Sequence, residues 1–160
     1  MRYLRYILLQ SFSARSKMAS NMETKLKHLE WEAKYSVEVA EIDEQHKAMF
    51  ATINLLIDAI GASPTKEKLS EIIARLVQYK RFHFETEENY FKKFNYEGTA
   101  EHVKKHHEFN VKLEEVQKKC GDDVLMLAYE LIDFLEDWLI NHLMTVDQEY
   151  KECFKAHGLK

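Results

Sequence analysis

The stretch Trp138-Leu-Ile-Asn-His142-Leu-Met-Thr-Val-Asp147 decides how the chain is read. Trp138, Leu139 and Leu143 extend an apolar stripe that starts with Ala128, Leu131 and Leu135 at helical spacing. A histidine and then a carboxylate interrupt that stripe. Alone, His142 reads as a core histidine with its ring hydrogen-bonded. The helices before it change that reading.

Working back from this stretch, three more helical patterns precede it. The first runs from about Ile42 to Ile60, with Met49, Phe50, Ile53, Leu56 and Ile57 on one face. Gly61 stands where a left-handed C-terminal cap is wanted. Ser63-Pro64 offers an N-cap and a first-turn proline to the second helix, which carries Leu69, Ile72, Ile73, Leu76, Tyr79, Tyr90, Phe91 and Phe94. Thr99 is the expected N-cap of the third, which shows Phe109, Leu113 and Val116 and stops at Gly121, and Asp122 that of the fourth. Only 4 Gly and 1 Pro occur in 160 residues, which favours long helices. The short connections make consecutive helices antiparallel neighbours. The expected class is all-α, an up-down-up-down four-helix bundle with an extended N-terminal arm. The arm, Leu26 to Glu41, lacks a helical period, and Trp31 is expected to pack over one end of the domain.

The domain should span residues 25–160. Residues 1–24 stand apart: Arg2, Arg5, Arg15 and Lys17 come with several serines, and no acidic residue precedes Glu23. That resembles a mitochondrial presequence; a tail, or a start called too early at Met1 rather than Met18 or Met22, fits as well. The formal net charge of −4 argues against a nucleic-acid partner. No apolar run nears the roughly twenty residues needed to cross a bilayer, so no membrane partner is expected. Cys120 and Cys153 are too few and too far apart for a disulfide framework. They read as reduced thiols, which points to the cytoplasm, or to the mitochondrion if the leading segment is a presequence.

The chemistry lies on the apolar faces. His46 begins the first stripe, His83 and Glu87 lie one turn apart on the second, and His102 and His106 lead into Phe109 on the third. With His142 and Asp147, every helix sends an ionisable group into the core. Burying one such group without a partner costs several kcal/mol, more than a domain of ordinary stability can bear seven times over. The groups must satisfy one another, and imidazoles and carboxylates converging from four helices suit a transition-metal site. His107 and Glu88 are rotated about 100° off these faces, and His28 and His157 lie outside the four patterns.

Five nitrogens and two carboxylates exceed the ligands of a tetrahedral zinc, and no cysteine is in phase. A zinc held by His102, His106 and His142 would leave the other four unexplained. Calcium or magnesium would want oxygen donors. Ferritin-like di-iron sites want Glu-x-x-His on two helices, and no histidine here has a glutamate three residues before it. Two metal ions bridged by the two carboxylates use every group, and an imidazole-rich set suits iron.

Together, Ile42-Asp-Glu-Gln-His46, His83-Phe-Glu-Thr-Glu87, His102-Val-Lys-Lys-His106, His142-Leu-Met-Thr-Val-Asp147 and Trp31 resemble the hemerythrin family, particularly single-domain bacterial hemerythrins. The resemblance covers about Leu29 to Phe154. It implies two iron ions, Fe2+ or Fe3+, with a bridging oxo or hydroxo group. His102, His106 and His142 would hold one and His46 and His83 the other, with Glu87 and Asp147 between. It also implies reversible dioxygen binding rather than an enzyme, for storage, transport or delivery. The alternatives are a di-iron oxidase or peroxidase, a nitric-oxide-handling enzyme, or a sensor of oxygen or iron. Met49, Phe50, Phe84, Trp138, Leu139 and Leu143 are the expected walls of a dry ligand pocket. Tyr150 could bond near the bridging Asp147 or simply pack. His142 and Asp147 lie about 500° apart on an ideal helix. Approach to the metals from two sides is expected, rather than a bulge, because a bridging carboxylate reaches between them.

Overall fold

The computed structural model describes residues 26–119 and 123–160. Four helices build the domain: α1 (Ala40–Gly61), α2 (Lys66–Phe94), α3 (Thr99–Lys119) and α4 (Val124–Trp138). Beyond α4 the chain stays helical through a π-helical segment (Leu139–Val146), a 3-10 turn (Asp147–Tyr150) and α5 (Lys151–Ala156). Among the described residues there is no strand. α1 packs on α2 and α4, α2 on α3, and α3 on α4, which closes an up-down-up-down four-helix bundle. No helix among the described residues is long and apolar enough to cross a membrane.

The helix ends depart from the expected caps. Gly61 stays inside α1, and Ser63 takes the left-handed conformation, with φ of 62°. Ser63 is therefore a turn residue, and the N-cap of α2 moves to Thr65, whose hydroxyl accepts from the Lys68 N–H at 3.2 Å. Pro64 accordingly precedes the cap rather than opening the helix. Asn95, with φ of 51°, closes α2 in the left-handed region. Thr99 is the first residue of α3 rather than its cap, and its hydroxyl donates back to the Tyr96 carbonyl. Asp123 caps α4 by accepting from the Met126 N–H at 3.2 Å. Gly121 and Asp122, expected at that junction, lie outside the described residues, as does the basic, serine-bearing leading stretch.

The arm has a single 3-10 turn, Ala33–Tyr35. Leu29 and the Asn54 amide exchange two hydrogen bonds, of 2.8 and 3.0 Å, which lays the arm along α1. Trp31 therefore packs edge-on against Phe50, at 5.5 Å, and beside His46, at 6.4 Å. It covers the flank of the bundle and not its end. Asp43 fastens the following residues, accepting from Ser36 Oγ at 2.6 Å and the Val37 N–H at 2.9 Å.

Two apolar clusters fill the interior. The larger includes Met49, Ile53, Leu76, Phe84, Phe109, Leu135 and Leu143; the smaller joins Val37, Val39, Ile42, Phe91, Tyr150 and Phe154. Burial of each large apolar side chain contributes about 1.5–3 kcal/mol before entropy is counted. Along α1, α2 and the helical segment after α4, the buried histidines and carboxylates fall between residues of these two clusters.

Candidate metal centre

All seven expected residues meet in this layer. His46, His83, Glu87, His102, His106, His142 and Asp147 are each at most 3% exposed. Their donor atoms form two overlapping groups, Glu87 with His102, His106 and His142, and Glu87 and Asp147 with His46 and His83, each within 4.8 Å. Every histidine turns Nε2 towards the carboxylates. Glu87 Oε2 lies 2.9 Å from His106 Nε2 and 3.2 Å from His102 Nε2, whereas Oε1 faces His83 Nε2 at 3.6 Å. Asp147 Oδ1 lies 3.1 Å from His142 Nε2 and 3.4 Å from His102 Nε2, whereas Oδ2 faces His46 Nε2 at 3.3 Å. Each carboxylate thus presents one oxygen to each group.

Apart from the His102 Nε2–Glu87 Oε2 contact, these short distances are not ordinary hydrogen bonds. The Nε2 atoms of His46, His83, His106 and His142, and both Asp147 oxygens, lack a partner of acceptable geometry although they are buried. Such orphans are costly and rare in an interior. The atoms converge on shared points instead of on one another, as the ligands of a cation do. Five imidazoles and two carboxylates suit imidazole-preferring transition metals, iron among them, so the donor set fits a pair of such ions.

The last two donors depend on the π-helical segment. On an α-helix the fifth residue falls about 140° away from the first. Here the Asp147 N–H donates to the His142 carbonyl, an i to i+5 bond that brings Asp147 back over His142. The expected approach from two sides of a regular helix is therefore replaced by a local bulge. The Gln148 side chain steadies it by donating to the Leu143 carbonyl at 3.0 Å.

Electrostatics follow from burial and pairing. Burial, together with repulsion from His46, pushes His83 down to about 3 against the attraction of Glu87. Burial would lower His106 too, but Glu87 and then Glu88 outweigh it and raise it. For Glu87 and Asp147, burial acts upward, yet the surrounding histidines win and hold both carboxylates below their usual range. Burial, with Glu87 and Asp147, lifts the Tyr150 hydroxyl well above its ordinary value. That hydroxyl donates to Glu87 Oε1 at 2.6 Å, so its partner is Glu87 and not Asp147.

Aromatic rings wall the layer. Phe84 stacks on His106 with centroids 3.7 Å apart, and Trp138 on His142 at 4.1 Å. Met49, Phe50, Leu139 and Leu143 are buried in the larger cluster with Phe84, and Trp138 packs against it. Tyr79, stacked on His83 at 4.9 Å, joins the wall although the sequence pattern marked it only as core. Two further residues escaped sequence reasoning. Gln45 Oε1 accepts from His83 Nδ1 at 3.1 Å, and Glu88 Oε1 from His106 Nδ1 at 2.9 Å. Both sit one position from a buried polar residue, where a side chain points at the neighbouring helix, and that adjacency was the available signal. His107 is exposed, His28 pairs with Asp58 at the surface, and His157 stacks on Phe94, so none joins the centre.

Comparison with known proteins agrees with this geometry. Residues 37–154 match the family model of the hemerythrin HHE cation-binding domain. The bacteriohemerythrin of Methylococcus capsulatus is 29% identical over 124 residues, covering 78% of this chain and 94% of that protein. A hemerythrin-like protein of Naegleria gruberi is 32% identical over 122 residues, covering 76% and 89%. The myohemerythrin of Theromyzon tessulatum is 31% identical over 76% of this chain and 90% of its own. A crystal structure of wild-type hemerythrin superposes with a TM-score of 0.71 at 28% identity, covering 79% of this chain and 98% of that one.

Proposed function

Because the chain belongs to the hemerythrin HHE cation-binding family, we propose that its buried layer holds two iron ions and binds dioxygen reversibly. The observation that carries this reading is the split of Glu87 and Asp147, each with one oxygen towards each group of histidines. On this reading His102, His106 and His142 would hold one ion and His46 and His83 the other, with Glu87 and Asp147 shared between them. When bound, the iron pair supplies the electrons that reversible dioxygen binding requires.

The remaining residues shape the site. The His46 and His83 side has one imidazole fewer, so an ion there would be the one free to take a small ligand. Met49, Phe50, Phe84, Trp138, Leu139 and Leu143 keep water and larger substrates out. Tyr150 keeps its proton at neutral pH and fixes Glu87 through the hydroxyl. The polypeptide contributes positioning and dryness. A reducing compartment, the cytoplasm, suits the free Cys153 thiol.

The test is direct. Purified protein is assayed for iron, reduced without air, and exposed to dioxygen and then to vacuum while the visible spectrum is recorded. Two irons per chain and a coloured form that vanishes on deoxygenation are expected. Irreversible oxidation with release of peroxide would assign an oxidase instead, and zinc or no metal would end the di-iron reading.

A further inference from the structure

The five inward histidines differ in what stands behind them. His106 Nδ1 lies 2.9 Å from Glu88 Oε1, and His83 Nδ1 lies 3.1 Å from Gln45 Oε1. Among the described residues, Nδ1 of His46, His102 and His142 has no such partner. Since the Glu88 carboxylate oxygen and the Gln45 amide oxygen can only accept, Nδ1 carries the hydrogen in both backed rings and donates it outward; this tautomer follows from the network. The two acceptors differ by a full charge. Glu88 presents a carboxylate, and Gln45 presents an amide oxygen. The amide's orientation is fixed, because its Nε2 donates to Thr86 Oγ1 at 3.1 Å. The acceptors also serve opposite groups: His106 belongs with His102 and His142, and His83 with His46.

Glu88 stands where the buried layer meets the surface. Its side chain is 43% exposed, against 2% for the His106 it supports. It lines a surface cleft with Lys80, Arg81 and Phe84, and Phe84 is the ring stacked on His106. Water in the cleft can solvate the outer carboxylate oxygen while the inner one holds the ring. The charge is therefore kept at small desolvation cost. An imidazole whose N–H is bonded to a carboxylate is more electron-rich at its far nitrogen than one bonded to an amide. More electron-rich ligands favour the more highly charged ion.

We infer that Glu88 and Gln45 make the two halves of the centre electronically unequal, Glu88 acting through His106 to stabilise the ferric state of the ion held with His102 and His142. Glu88 is thus a positioning residue that lowers the reduction potential of the loaded centre, and Gln45 leaves its own half higher. This rests on the ligand roles proposed above.

The experiment compares wild type with Glu88→Gln and Gln45→Glu, each loaded with ferrous iron without air and titrated potentiometrically. E88Q should keep two irons per chain, shift the midpoint positive and autoxidise more slowly. Q45E should shift it negative and autoxidise faster. In the metal-free, 15N-labelled protein, the His106 imidazole N–H resonance should move upfield in E88Q, a readout independent of iron. Unmoved midpoints, or shifts of the same sign, in variants that keep their iron would overturn the inference and leave the ligand roles standing. Loss of iron from E88Q with helix content intact would also overturn it, by making Glu88 a determinant of occupancy and not of potential. Wild-type protein that takes up no iron would overturn the ligand roles and the inference together.

Discussion

Leu139 and Leu143 flank His142 on the inner face of the π-helical segment, and both are buried. A polar group at 139 would admit water, so Leu139→Asn should autoxidise faster than wild type at equal iron content; an unchanged rate would remove Leu139 from the pocket wall. Tyr150→Phe takes from Glu87 Oε1 its 2.6 Å donor. A hydrogen bond to a charged group contributes about 1.5–3 kcal/mol, and urea unfolding of the metal-free variant should show a loss of that size. Acid should weaken the metal-free protein as well. His83 titrates near 3 in the fold against 6.5 ordinarily. The unfolded chain therefore takes up that proton first, and the stability His83 lends above 6.5 is lost as pH falls towards 3, at about 1.4 kcal/mol per unit. Glu87 and Asp147, both depressed, add losses at lower pH, and His106, which is raised, partly opposes them. The groups facing His83 are His46, Glu87, Asp147 and His106. A lower urea midpoint at pH 5 than at pH 7.5 is expected, and equal midpoints would contradict it. At this scale the inward histidines and Glu87 were legible because each interrupts an apolar stripe in phase, whereas Asp147, about 140° off His142 on a regular helix, was not placed by phase alone. Glu88 and Gln45 were not, since their roles come from the facing helix and leave no period in their own.

Helix bodies were readable from spacing, and helix ends were not. The stripe Leu69, Ile72, Ile73, Leu76 repeats often enough to outvote any single residue, so α2 was plain. A cap turns on one dihedral angle. Ser63 next to Pro64 has the composition of an N-cap, yet its left-handed φ excludes that role and passes it to Thr65. Asp122 and Asp123 are chemically the same, so composition alone does not single out Asp123 as the cap. Asp123→Ala should remove the acceptor for the Met126 N–H and cost about 1 kcal/mol, read as a lower melting temperature with iron content unchanged; an unaltered melt would mean that the helix start is held by packing alone. The π-helical segment is the deeper miss. Its residues read equally well as α-helix, and only the need to bring Asp147 over His142 favours the extra residue in the turn.

Across the whole molecule, the centre sits between two apolar clusters and ties all four helices together. Without a cation, nine buried histidine and aspartate atoms of the layer go unpartnered. Stripping metal with a chelator should therefore lower the melting temperature, and ferrous iron should restore it in proportion to ligand occupancy; identical melts with and without metal would show the layer to be self-sufficient. The fold class was secure from the sequence because short connections and few breakers leave little besides an up-down bundle. The path of the arm was not, because Trp31 has no periodic partner and its place is set by the Leu29–Asn54 clasp. One other clasp closes the molecule: the Ala40 N–H, at the head of α1, donates to the Lys160 carbonyl at 3.0 Å. Glu38 pairs with Lys151 beside it at 3.0 Å. During synthesis, α1 through α3 can leave the ribosome and pack early, since helical bundles rest mostly on local contacts. Asp147 and the partners that clamp the start of α1 follow these helices in the sequence and leave the ribosome after them. The donors of α1 to α3 are therefore made before His142 and Asp147, so the layer is complete only once the segment after α4 has been made.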